Sequence, residues 1–127
     1  MLLDTCTLLW LAIDLSRLSN DALRAISANA GSLYVSAISP WELALKHKKQ
    51  KLTLPFPPEI WYRGVVQHHG LEEIEVSGEI VLASVALPDL HGDPADRIIV
   101  ATSQLRGYPV ITPDPMIRRY PNTKLVW

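Results

Sequence analysis

The stretch HGDPADRIIVATSQLRGYPVITPD, residues 91–114, decides the fold of this 127-residue chain. Its Asp-Pro pair is typical of a helix start, and Gly107 ends the apolar segment that follows. Residues 110–112 then have the composition of a short buried strand, and the acidic residue Asp114 comes two residues after them. A helix followed by a strand, with an acidic residue beyond the strand, is typical of an α/β domain.

The same alternation extends outward over the whole chain. The predicted strands are residues 1–3, 33–35, 71–76, 110–112 and 124–127, and the predicted helices are residues 8–13, 19–30, 39–51, 58–70, 77–87, 93–106 and 115–119. Strands that alternate with helices imply a mostly parallel central sheet that is covered on both faces. The sequence therefore predicts a three-layer α/β/α domain, and the length predicts a single domain, residues 1–127.

Composition excludes several classes of protein. No apolar run approaches the roughly eighteen residues that cross a bilayer, so we expect no membrane partner and a cytoplasmic location. The single cysteine, Cys6, excludes an internal disulfide and is expected to pack rather than react. The net charge of −1 argues against a surface that attracts nucleic acid everywhere, so any such contact depends on a local patch.

Five carboxylates are predicted at one edge of the sheet. Ligands of open parallel sheets bind beyond the carboxyl ends of the strands. Asp4 and Asp114 lie at or just beyond the ends of strands, whereas Glu42, Asp93 and Asp96 begin helices that face the same edge. Like charges brought together need a cation, and oxygen ligands suit Mg²⁺ or Mn²⁺, which are often shared with phosphate. The sequence predicts one or two such ions.

Each acid also has an ordinary structural explanation. Asp93 is a good helix N-cap, and Ser39 with Glu42 matches the capping box. Asp114 lies between prolines, where a turn is the default, and Asp4 is able to cap the helix that follows it. The metal site is favoured because caps would be distributed over both ends of the sheet.

Four motifs in the order found here resemble a PIN domain, and most closely the small VapC-type toxins of type II toxin–antitoxin systems. The motifs are L-L-D-T followed by L-L-W, S-P-W-E with Lys46 four residues after its glutamate, D-P-A-D-R-I-I-V-A-T, and V-I-T-P-D. The resemblance implies catalytic and metal-ligating roles for Asp4, Glu42, Asp96 and Asp114. It adds Asp93 as a further metal-ligating acid.

The resemblance also implies an activity and partners. It implies an endoribonuclease that hydrolyses RNA phosphodiester bonds with a water activated by Mg²⁺ or Mn²⁺, giving 5′-phosphate and 3′-hydroxyl ends. It further implies a cognate VapB-like antitoxin and a homodimer. Two alternatives stay open: an inactive PIN-like module that binds antitoxin or RNA, and a phosphoacceptor receiver domain, which is disfavoured because only Asp4 follows the first strand.

Basic residues of the segment 46–51 form the densest positive patch, for which a solvated helix face is the alternative. Lys46 lies one helical turn after Glu42, where it can balance the acid or hold an RNA phosphate. We expect Lys49 and Arg118 to extend the RNA path. His91 is expected to be an ordinary surface residue. The tryptophans are expected in the core or an interface; they are Trp10, Trp41 and Trp61.

Overall fold

The computed structural model describes residues 1–127 and contains five strands and six α-helices. The strands are β1 Leu2–Leu3, β2 Tyr34–Ser36, β3 Glu72–Ile74, β4 Val110–Ile111 and β5 Leu125–Val126. The α-helices are α1 Thr5–Ile13, α2 Asn20–Ala28, α3 Ile38–Lys48, α4 Pro58–His69, α5 Gly78–Ala86 and α6 Pro94–Arg106. Short 3₁₀ helices cover Leu15–Arg17 and Ile117–Arg119. No helix is both long and apolar enough to span a bilayer.

All strands are parallel, and their order across the sheet is β3-β2-β1-β4-β5. The central strand β1 pairs with β2 on one side, where Leu2 lies opposite Tyr34, and with β4 on the other, where Leu2 lies opposite Val110. The chain first adds strands on one side of β1 and later on the other. The carboxyl ends of β1 and β4 therefore form the switch point at which such sheets bind ligands.

The core has one apolar layer on each face of the sheet, because consecutive residues of a strand face opposite sides. Leu3 packs with buried side chains of α1, α3 and α4, among them Leu8, Leu43 and Trp61. Leu2 packs on the other face with Ile80 of α5 and Ile99 of α6. This arrangement confirms the predicted three-layer α/β/α architecture.

Local capping explains most of the helix boundaries. The hydroxyl of Ser19 accepts a hydrogen bond from the Ala22 amide, and that of Ser77 accepts one from the Ile80 amide. Gly107, with φ of +70°, ends α6 in the left-handed conformation that glycine adopts easily. The capping box, the ordinary structural alternative for Glu42, does not form. Helix α3 begins earlier, at Ile38, and the buried Ser39 hydroxyl instead accepts a hydrogen bond from Thr5 Oγ1.

Candidate metal centre

Asp4 lies at the carboxyl end of β1 and is buried, with 3% of its surface exposed. Its Oδ1 accepts a hydrogen bond from the Thr7 amide at 2.6 Å, so the predicted N-cap role is real. Its Oδ2 accepts the hydroxyl of Thr112, which follows β4, at 2.5 Å. Desolvation raises the pKa of Asp4, and these hydrogen bonds oppose that shift.

A first group of carboxylates joins α3 to the start of α6. One oxygen each of Glu42, Asp93 and Asp96 lies within 4.8 Å of the others. Asp93 caps α6 by accepting the Ala95 amide at 2.9 Å, so its structural role coexists with its place in the group. Lys46 Nζ lies 3.6 Å from Glu42 Oε1, which confirms the predicted placement of this lysine over the glutamate.

A second group shares Asp96 and extends the site to the segment after β4. His91 Nε2 lies 2.8 Å from Asp96 Oδ2 and 3.3 Å from Asp114 Oδ2. The backbone amide of Asp114 donates to the hydroxyl of Thr112, the same hydroxyl that donates to Asp4. The Thr112 hydroxyl therefore joins the buried Asp4 to the backbone of Asp114. Asp114 Oδ1 also accepts the Met116 amide at 2.7 Å, which is the turn predicted for it.

Crowding of charge is the main electrostatic feature of the site. The pKa of Asp96 is raised to about 7 by desolvation first, and then by the charges of Asp93 and Glu42, while His91 opposes the shift. A carboxyl group with a pKa raised by neighbouring carboxylates is expected beside the site of a hard divalent ion, whose charge relieves the repulsion. The donor set, dominated by oxygens, fits Mg²⁺ or Mn²⁺.

The structure brings together most of the predicted acids but not all of them. Glu42, Asp93 and Asp96 form one group, and Asp114 joins Asp96 in the other. Asp4 belongs to neither group, because its two oxygens face Thr7 and Thr112. The repulsion between Asp4 and Asp114 still contributes to the raised pKa of Asp4, so Asp4 remains part of the same electrostatic site.

Two expectations from the sequence are wrong. His91 is not a plain surface residue, since it contacts two of the acids. Cys6 is exposed rather than packed, although partial burial and the Asp4 charge raise the pKa of its thiol to about 11. Trp61 lies in the core, as expected, whereas Trp41 is 53% exposed, so its place in an interface stays a prediction.

Arg97 has a structural role that the sequence did not reveal. Its guanidinium donates to the carbonyls of Ser84 and Leu87 at the end of α5, at 2.8 and 2.9 Å. It also donates to the carbonyls of Pro88 and His91. These bonds hold the segment that carries His91 against α6. The only sequence signal was an arginine directly after the second acid of D-P-A-D-R.

The side chains predicted to bind RNA are exposed at the surface of the domain. Lys46 is half-exposed beside Glu42, Lys49 lies directly after the end of α3, and Arg118 lies in the 3₁₀ helix after β4. Neither Lys49 nor Arg118 forms an ion pair. Their contact with RNA stays a prediction.

The model of the PIN domain family matches residues 1–122. The chain is also 34% identical over 130 aligned positions to Ribonuclease VapC22 of Mycobacterium tuberculosis (strain ATCC 25618 / H37Rv), covering 100% of this chain and 98% of that protein. The chain belongs to the PIN domain family. The family predicted from the four motifs is thereby confirmed, and the groups of carboxylates lie at the switch point of this PIN domain.

Solved structures confirm the fold of this PIN domain. The DNA-bound VapBC of Salmonella typhimurium superposes with a TM-score of 0.72 at 19% identity, covering 98% of this chain and 94% of that chain. VapBC2 of Rickettsia felis, bound to a promoter DNA fragment, gives 0.72 at 16% identity over 98% and 95%. A toxin–antitoxin complex from Klebsiella pneumoniae gives 0.64 at 26% identity over 96% and 93%.

Proposed function

We propose that this chain is the toxin of a VapBC-type toxin–antitoxin pair and acts as a metal-dependent endoribonuclease. The observation that carries the proposal is the pair of ligand groups that share Asp96 at the switch point of a PIN fold. The full-length likeness to a protein named a ribonuclease supports the same reaction class. The inactive PIN-like module has no observation in its favour.

The proposed cofactor is Mg²⁺ or Mn²⁺, as one or two ions. Glu42, Asp93, Asp96 and Asp114 would hold it, and Asp4 would contribute a further oxygen, since each carboxylate oxygen keeps a lone pair beyond the one its hydrogen bond uses. When bound, the ion supplies a Lewis acid that activates water and stabilises charge developing on the phosphate.

The chain's own residues position the reacting groups. Thr112 holds Asp4 and the Asp114 backbone through one hydroxyl, which fixes the distance between the ends of β1 and β4. His91 links Asp96 to Asp114, which joins α6 to the same edge. Lys46 beside Glu42 supplies a positive charge where the RNA phosphate would enter. Together these contacts keep the site preorganised before substrate arrives.

The proposed partners are an RNA substrate, a VapB-like antitoxin and a second copy of this chain. The antitoxin is supported by the likeness to three toxin–antitoxin complexes that cover nearly the whole chain. The homodimer and the cytoplasmic location follow from the family resemblance and the composition. Sedimentation of the isolated chain over a range of concentrations tests the homodimer, and a single monomeric species would contradict it.

The decisive experiment is cleavage of end-labelled cellular RNA by the purified chain with Mn²⁺ or Mg²⁺ and with EDTA. Asp96→Asn should abolish cutting, and Asp89→Asn, a matched change at an exposed acid outside the site, should not. We expect 5′-phosphate and 3′-hydroxyl ends. Products with 2′,3′-cyclic phosphate would contradict hydrolysis by water, and RNA binding without cutting would support the inactive module.

A further inference from the structure

A cleft of about 270 Å³ lies between α1 and α3, beside the carboxylates. Its walls are apolar, formed by Leu9, Leu43 and Leu52, and two lysines, Lys46 and Lys51, line it as well. The metal-site residues do not line it. Its size is that of roughly nine water molecules at about 30 Å³ each, which is enough for one nucleobase.

The chain after α3 is folded so as to build one wall of this cleft. Gln50 adopts a left-handed conformation with φ of +58°, just beyond the end of α3 at Lys48. The Lys51 amide then donates to the Lys46 carbonyl at 2.9 Å, and His47 Nδ1 lies 3.2 Å from the Leu52 carbonyl oxygen. The wall is therefore held by one backbone hydrogen bond and one contact of the His47 ring with the backbone, which makes the cleft a formed feature.

The cleft adjoins the carboxylate site through two residues. Lys46 lines the cleft and also lies 3.6 Å from Glu42. Thr5 lines it as well and directly follows Asp4. A nucleotide that enters the cleft would thus be a close neighbour of a phosphate held at the carboxylates.

We propose that this cleft binds the base of one unpaired nucleotide next to the scissile phosphate of the RNA substrate. The proposal rests on the proposed function, because it assigns a subsite to that substrate. The faces of a base are apolar and suit the leucine walls, whereas Lys46 and Lys51 suit the flanking phosphates. No aromatic platform lines the cleft, so shape selects the base and makes the cleft a determinant of cleavage sequence.

Narrowing the cleft tests this assignment. Cys6 lines the cleft, so Cys6→Phe places a larger side chain in it. The matched control is Val85→Phe at an exposed position of α5. Cut ends are sequenced from a random RNA pool. We expect the narrowed variant to change base preference at one position beside the cut at least several-fold, and the control to retain the wild-type profile. An unchanged profile in a folded, active Cys6→Phe variant would overturn the proposal.

A second measurement does not depend on that substitution. Cys6 is the sole cysteine and is exposed, so its alkylation by a maleimide, in a mildly alkaline buffer because the pKa of the thiol is raised, reports on the cleft. In the Asp96→Asn background, single-stranded RNA containing the preferred site should slow alkylation several-fold, and the same sequence as a duplex should not. Full reactivity of Cys6 in saturating RNA would overturn the proposal. Protection of Cys6 by the antitoxin but not by RNA would overturn it as well. Failure of the wild type to cut RNA would instead contradict the proposed function.

Discussion

Asp96 is the residue on which both ligand groups depend, and its pKa makes a prediction about stability. The pKa is about 7 in the folded chain against an ordinary value of 3.8, so the folded state holds the proton more tightly than the unfolded state. Without metal, the free energy of unfolding should therefore fall as pH rises from about 4 to about 7. Asp96→Asn removes the carboxylate whose ionisation lowers the stability of the folded chain. We expect this variant to stabilise the metal-free chain by about 2–4 kcal/mol at about pH 8.

Urea unfolding in EDTA measures this difference. At about pH 3, where the acid is protonated in both states, the wild type and Asp96→Asn should have nearly equal stability. Adding Mn²⁺ at about pH 8 should stabilise the wild type much more than the variant, because binding to the folded state adds to its stability. A stability difference that does not change with pH would show that the substitution acts through packing or capping rather than charge.

His91 makes a prediction about metal affinity. The Asp93 amide donates to His91 Nδ1 at 3.4 Å, which places the proton of a neutral ring on Nε2. This one N–H is then shared between Asp96 Oδ2, at 2.8 Å, and Asp114 Oδ2, at 3.3 Å. Loss of such an outer hydrogen bond lowers metal affinity by about 10–100-fold, which we expect for His91→Ala, whereas His91→Gln keeps an N–H donor and should retain most of the affinity.

Calorimetric titration with Mn²⁺ separates these variants. His68→Ala is the matched control, since His68 is an exposed histidine of α4 outside the site, and it should bind Mn²⁺ as the wild type does. If His91→Gln were as weak as His91→Ala, hydrogen-bond donation would not explain the role of the ring. The imidazole nitrogen would then be required as a ligand itself.

At the scale of elements, the connection between α5 and α6 is fixed by one side chain. Arg97 donates to carbonyls of Ser84, Leu87, Pro88 and His91, and hydrogen bonds to charged groups contribute more than neutral ones. We expect Arg97→Met to lower the free energy of unfolding by about 3 kcal/mol. Amide hydrogen exchange of residues 84–91 should accelerate.

The matched control for this prediction is Arg63→Met. Arg63 forms an exposed pair with Glu59 at 3.1 Å within α4, and such pairs contribute at most about 1 kcal/mol. Thermal or urea unfolding compares the two variants, and exchange mass spectrometry localises the effect. Equal stability of Arg97→Met and the wild type would mean that the α5–α6 connection is held by its apolar contacts alone.

The elements also show which features sequence can predict. The starts of α2 and α5 were predictable because Ser19 and Ser77 cap amides three residues away. The start of α3 was not, since Ser39 is held by Thr5, which is 34 residues away in sequence. Capping signals are local, and a long-range hydrogen bond leaves no trace in the spacing of nearby residues.

The same distinction applies to the site. The acids were predictable because strand ends and helix starts place Asp96 and Asp114 at one edge of a parallel sheet. The separate position of Asp4 depends on Thr112, 108 residues away. The position of His91 depends on the hydrogen bond from Arg97 to its carbonyl and on the contact of its ring with Asp114. Neither contact can be read from the spacing of nearby residues.

At the scale of the whole molecule, the balance of charge limits how RNA can bind. The net charge is −1, and the site itself is acidic, so attraction for a polyanion has to come from a few basic side chains. The contacts predicted from the sequence are Lys46, Lys49 and Arg118, and the proposed base cleft adds Lys51; all four side chains are exposed. RNA binding should therefore weaken with salt much less steeply than it does for strongly basic proteins.

The salt dependence can be stated as a number and tested residue by residue. Each phosphate contact on a single strand contributes about −0.7 to the slope of log affinity against log salt, so four contacts predict a slope of about −3. Binding of single-stranded RNA is measured in the Asp96→Asn background to prevent cutting. Lys49→Gln and Arg118→Gln should each make the slope less steep by about 0.7. The control is Lys124→Gln, at the position directly before β5, and it should leave the slope unchanged. An unchanged slope in either test variant would remove that residue from the RNA path, and a slope steeper than about −5 would contradict binding through a local patch.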